Sequence, residues 1–68
     1  MNLTINGKKK QLINIAKLSD LLVQLEINKE EKGFAIAINE EVIFRSTWQK
    51  ALLNEGDRIE IIRATQGG

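Results

Sequence analysis

The residues in this chain best placed to do chemistry are its last two, Gly67 and Gly68. Glycine has no side chain, so a terminal pair leaves a carboxylate on a narrow thread. Such a thread can enter an active site on another protein where a bulkier end would clash. The sequence stops at the second glycine, and the expectation is a carboxylate already free to react. A carboxylate becomes an acyl donor once one oxygen is made into a leaving group. Adenylation by ATP does this, with positioning and charge neutralisation supplied by the partner enzyme. A sulfur nucleophile can then displace AMP, leaving a thioester or a thiocarboxylate on Gly68. The competing reading is an inert end, since glycine is common in frayed termini. What separates the two is whether the pair follows a fold that would present it.

Composition removes most other chemistry. The chain has no cysteine and no histidine, hence no thiolate nucleophile, no disulfide frame and neither of the commonest transition-metal ligands. No catalytic residue and no metal site are expected. Ten basic and nine acidic residues leave a net charge of +1, which points to neither nucleic acid nor membrane as a partner. Lys8, Lys9 and Lys10 form the one basic run and read as a solvated strand edge. No stretch approaches the roughly 20 apolar residues of a membrane span. Met1 leads directly into a strand-like pattern, so no targeting segment is expected and a reducing, cytoplasmic setting fits, with an organelle interior such as a plastid stroma as the other option. Sixty-eight residues suffice for one domain, 1–68, with a flexible tail expected from about residue 64.

The elements that must position the tail are legible in the hydrophobic periodicity. Leu3 and Ile5 alternate with polar residues as in a strand with one wet face, and Asn6-Gly7 supplies a two-residue hairpin turn. The chain should return as a second strand from Lys8 to Ile15. Leu18, Leu21, Leu22 and Leu25 form one apolar stripe of a helix, with Ser19 or Lys17 as its start. Phe34–Ile38 alternates large and small apolar residues and predicts a strand closely approached on its small-residue face. Val42–Phe44 predicts a short strand. Ser46 followed three residues later by Gln49 matches a capping box and predicts a helical turn. Arg58–Arg63 predicts the last strand, with Ile59 and Ile61 on one face and Arg58, Glu60 and Ile62 on the other. This order predicts an α+β domain of the β-grasp, ubiquitin-like type: a mixed sheet with one helix packed across it, and the first and last strands parallel at its centre.

Several segments also carry a resemblance. Ala35–Val42, Arg45 followed by Trp48, the helix run Leu21–Leu25, and Gly56–Ile61 leading to Gly67-Gly68 resemble the ThiS family, sulfur carriers for the thiazole half of thiamine. The resemblance covers nearly the whole chain. It departs from the family at Phe44, where proline is usual, and at Lys17, where a capping Ser or Thr is usual. It implies a carrier that is a cosubstrate rather than an enzyme. A ThiF-like adenylyltransferase would use ATP and magnesium, neither bound by this chain, to activate Gly68. Sulfur from a donor such as a cysteine desulfurase persulfide would convert Gly68 to a thiocarboxylate, and a ThiG-like thiazole synthase would consume it. Thr65, Gln66, Gly67 and Gly68 would thread the partners' active sites, and the free carrier would be a monomer.

For partner docking, Ile62 and Phe44 form a candidate apolar patch rimmed by Arg58, Glu60, Arg63 and Ala64, unless they merely cover the edge of the core. Trp48 reads as a packing residue, and Arg45 as a solvated charge at a strand end. Three other functions remain open: the related small subunit of molybdopterin synthase, a protein modifier that forms isopeptide bonds, and a β-grasp interaction module with an inert tail.

Overall fold

The computed structural model describes residues 1–28 and 30–63. The expectation of a flexible tail from about residue 64 lies outside the described residues. Among these, β1 (Asn2–Ile5), β2 (Lys8–Gln11), β3 (Phe34–Ile38), β4 (Glu41–Ile43) and β5 (Arg58–Arg63) form one sheet in the order β2-β1-β5-β3-β4. Helix α1 (Leu18–Gln24) and a 3-10 turn (Arg45–Thr47) complete the elements. Strands β1 and β5 run parallel at the centre, while the β1–β2, β3–β4 and β3–β5 pairs are antiparallel.

Asn6 and Gly7 both take positive φ (50° and 85°), which closes the tight β1–β2 hairpin. The Asn6 side chain adds a tie to the last strand, its Oδ1 accepting from the Ile61 amide at 2.8 Å. Strand β2 ends at Gln11, four residues short of the expected Ile15. Asn14 turns left-handed at φ 60°, which no strand can accommodate, and the following residues leave the sheet to deliver Ile15 to the core.

Helix α1 begins with Lys17 at the N-cap position, so Ser19 lies within the helix. The cap works without a hydroxyl because the Asp20 carboxylate accepts from the amides of both Ala16 and Lys17 at 2.9 Å. Those backbone donors, first Ala16 and then Lys17, hold the Asp20 carboxyl below its ordinary value. The helix stops through a Schellman arrangement. The Ile27 amide donates to the Leu22 carbonyl and the Glu26 amide to the Val23 carbonyl, with Glu26 left-handed at φ 59° where glycine is usual.

Leu18, Leu21 and Leu22 pack from α1 onto Leu3, Ile5, Phe34, Ile36 and Ile59 of the sheet, with Ile15, Trp48 and Leu53 closing the margins. Each such aliphatic side chain contributes about 1.5–3 kcal/mol by leaving water. Trp48 is buried as expected, and its Nε1 donates to the Ile43 carbonyl at 3.0 Å. The helical turn before it opens at Phe44, ahead of the expected Ser46 cap, and is closed by Thr47 Oγ1 donating to the Phe44 carbonyl at 2.8 Å. The capping box fails because Ser46 lies inside the turn, two residues past its cap at Phe44. Phe44 itself sits at φ −63°, ψ 141°, the backbone that the family's proline at this position would impose.

A polar clasp around the buried Asp57 fixes the approach to β5. Asp57 accepts from Asn39 Nδ2 (3.0 Å) and from the Asn54 amide (2.8 Å), while Asn39 Oδ1 accepts from the Arg58 amide (2.9 Å). Replacing Asp57 with Ala removes the acceptor of the Asn54 amide and the Asn39 side chain, and should lower unfolding free energy by about 1–2 kcal/mol in urea titration. The opposite change is expected where glutamate is held left-handed. Glu26→Gly and Glu40→Gly (φ 73°) should each raise the thermal midpoint, by the equivalent of about 1 kcal/mol.

Candidate docking face and tail exit

Because α1 lies on one face of the sheet, side chains of alternate strand residues are left on the other. Registers place these in rows. Ala35 of β3 stands opposite Ile62 of β5, and Ala37 lies between Glu60 of β5 and Val42 of β4. Carrying the β3–β4 register one residue further sets Phe44 level with Ala35. Phe44, Ala35 and Ile62 thus form one row, and Val42, Ala37 and Glu60 the next. Phe44 is 76% exposed, Val42 58% and Ile62 52%, so this end of the outer face offers apolar surface to solvent. Ala35 and Ala37 keep the strip low between its larger flanks, as the small-residue face of β3 foreshadowed.

Arg58 belongs to the same face, opposite Thr4, and lies 3.9 Å from the Glu40 carboxylate. Both partners are exposed, so this pair adds little stability. Glu60 lies between Arg58 and Ile62 along the strand. Four of the six docking residues named from sequence (Phe44, Arg58, Glu60 and Ile62) therefore share one surface. Val42, missed at that stage, joins them. The signal was present, since Ile43 packs against the core and strand alternation then turns Val42 outward.

Arg63 stands elsewhere. Its register partner is Phe34, whose side chain is buried beneath α1, so Arg63 projects on the helix side, away from Ile62. There its guanidinium lies 5.7 Å from the Phe34 ring centroid and pairs with the Glu31 carboxylate. Arg45 comes to the same ring. Its guanidinium lies 5.0 Å from the Phe34 centroid and 4.5 Å from that of Trp48, the two rings being 5.3 Å apart, and Nη2 reaches the Phe34 carbonyl at 3.5 Å. The expectation that Arg45 is merely a solvated strand-end charge is thus corrected. Trp48 and Phe34 meet at the core margin and offer two ring faces that a planar cation can cover. This cluster sits at the end of β5 from which the tail departs.

Ala64, Thr65, Gln66, Gly67 and Gly68 lie outside the described residues. A groove of about 700 Å³ runs between α1 and the 3-10 turn, bordered by Leu22, Val23, Ile27, Arg45, Trp48 and Gln49. None of the described site residues named from sequence lines it. Among the described residues no helix is long and apolar enough to cross a membrane.

A mixed five-stranded sheet grasping one helix defines a protein of the ubiquitin-like β-grasp class. Within that class the chain belongs to the ThiS family, which it matches over residues 3–68. It is 28% identical, over the full length of both chains, to the sulfur carrier protein ThiS of Escherichia coli K12. Its structure is similar to the crystal structure of the thiamine biosynthesis protein ThiS from Geobacter metallireducens. That match has a TM-score of 0.83 and 27% identity, and covers all of both chains. The solution structure of a thiamine biosynthesis protein from the same organism matches at TM-score 0.78 and 28% identity, covering all of this chain and 88% of the other. The family is the sulfur carrier family of thiamine biosynthesis.

Because Val42, Phe44 and Ile62 are exposed, their replacement by Ser should cost little stability. Each variant is expected within about 0.5 kcal/mol of the unsubstituted chain in denaturant titration.

Proposed function

We propose that this chain carries sulfur on its own C-terminus for assembly of the thiazole ring of thiamine. The observation that carries the reading is a ThiS-family β-grasp fold whose sequence ends in Gly67-Gly68 five residues beyond its last strand. A Gly68 carboxylate oxygen attacks the α-phosphorus of ATP on a ThiF-like adenylyltransferase, and pyrophosphate leaves. Sulfur from a persulfide, such as that of a cysteine desulfurase, displaces AMP, and thiolysis of the S–S bond leaves a thiocarboxylate. A ThiG-like thiazole synthase takes that sulfur and returns the carboxylate. ATP and magnesium belong to the activating enzyme. This chain contributes the acceptor, the thread of Thr65, Gln66 and Gly67, and a surface to dock on.

The outer face supports the docking role. Phe44, Val42 and Ile62 supply an apolar centre, with Arg58 and Glu60 as a polar rim that disfavours mismatched partners.

Intact-protein mass spectrometry tests the chemistry. After incubation with ATP, magnesium, a sulfur donor and the thiazole-pathway activating enzyme, one oxygen of Gly68 should be replaced by sulfur. A chain lacking Gly67 and Gly68 should not change. Activation by the molybdopterin-pathway enzyme alone would move the carrier to that pathway, and no change with either would leave an interaction module. Ile62→Asp should raise KM for activation about tenfold or more with the fold intact. Unaltered kinetics would remove the patch.

A further inference from the structure

We propose that Arg45 is a positioning residue for the C-terminal tail, a role that rests on the carrier reading above. It lies on the helix side of the sheet with Phe34 and Trp48, away from the docking strip. Its guanidinium lies over the rings of Phe34 and Trp48 and reaches the Phe34 carbonyl. Phe34 is the register partner of Arg63, the last residue of β5, and Arg63 lies against the same ring while pairing with Glu31. Two guanidiniums and two rings therefore gather at the final rung of the β3–β5 ladder. That rung is the platform from which residues 64–68 set out.

Without such a clamp the final rung would be weak. Strand ends fray, Arg63 is exposed, and its ion pair with Glu31 is a surface one of small worth. Stacking a planar cation on two aromatic faces, one of them the buried Trp48, is the stronger contribution at this position. It also ties the rung to the 3-10 turn, which Trp48 anchors to Ile43 of β4. Arg45 thus links both flanks of β3.

The consequence for transfer follows from reach. Five residues extend at most about 18 Å, so a partner docked on the outer face must find the carboxylate within a short radius of Arg63. Loss of one rung lengthens this tether by only one residue, which changes effective concentration little. Direction matters more, because a reacting atom misplaced by about 1 Å can cost on the order of 100-fold in rate. Arg45 fixes direction. It acts after docking, on the fraction of docked complexes whose carboxylate is in line with the reacting phosphorus.

The test separates docking from delivery. Arg45→Met keeps the length of the side chain and removes the planar cation, and Arg45→Lys keeps charge alone. Phe34→Leu removes the ring that both arginines share while preserving an apolar core residue. Backbone amide exchange by NMR and steady-state adenylation by the activating enzyme are measured for each. Arg45→Met and Phe34→Leu should speed exchange at Phe34 and Arg63 and lower kcat, each by roughly fivefold to thirtyfold, with KM unchanged. Arg45→Lys should restore kcat only in part. Loss of the core alone would accelerate exchange throughout the sheet and leave kcat of the folded fraction unaltered. That result would overturn the proposal, as would wild-type kcat in Arg45→Met or a rise in KM without a fall in kcat. If the unsubstituted chain is not adenylated, the carrier reading falls and the proposal with it. Normal adenylation of the Arg45→Met chain would sink the proposal alone.

Discussion

The rest of the structure depends on a limit of supply: α1, two turns of helix, covers one face of a five-stranded sheet and leaves the other to water. Apolar residues are accordingly concentrated toward α1, where Leu18, Leu21 and Leu22 meet alternate residues of β1, β3 and β5. The uncovered face cannot be equally apolar in a small domain without risking association. It is polar across β1 and β2, and apolar only where Val42, Phe44 and Ile62 surround two alanines. On the uncovered face, the asymmetry of burial thereby confines apolar surface to one end, the same end at which β5 finishes.

How much of this could be read from residues varied with the reach of the interactions involved. Strands β3 and β5 have the bounds expected of them, because alternation along Phe34–Ile38 and Arg58–Arg63 is a local signal that survives folding. The parallel centre followed from element order. The second strand was read too long because a single left-handed residue, Asn14, outweighs the apolar character of Leu12, Ile13 and Ile15. Of the two helix starts that the sequence offers, Ser19 and Lys17, the structure takes Lys17, because the Asp20 carboxylate caps from inside the first turn and no hydroxyl is needed. The strand end, by contrast, turns on backbone geometry that composition does not encode.

The site divides in the same way. The chemistry proposed for Gly68 is argued from sequence alone, because a covalent role at a chain end needs no neighbours. Phe44, Glu60 and Ile62 were legible from period alone. Arg63 was assigned to the wrong side of the sheet, although strict alternation from Ile62 already places it with Phe34. Arg45 was not legible at all, since its meaning lies in two rings, one 11 residues before it and one three residues after. A cation beside aromatic residues in sequence is common. One stacked between β3 and the residue that follows the 3-10 turn after β4 is a property of the fold.

The lysines of β2 have a consequence of their own. Lys8, Lys9 and Lys10 are all exposed on the outermost strand, whose unpaired backbone groups face solvent. Two copies meeting edge to edge would bring six ammonium groups together before a single ladder bond formed, and the repulsion would grow as they aligned. The opposite edge, β4, is only three residues long. A protein with an apolar strip on one open face is thereby steered away from meeting itself through its edges.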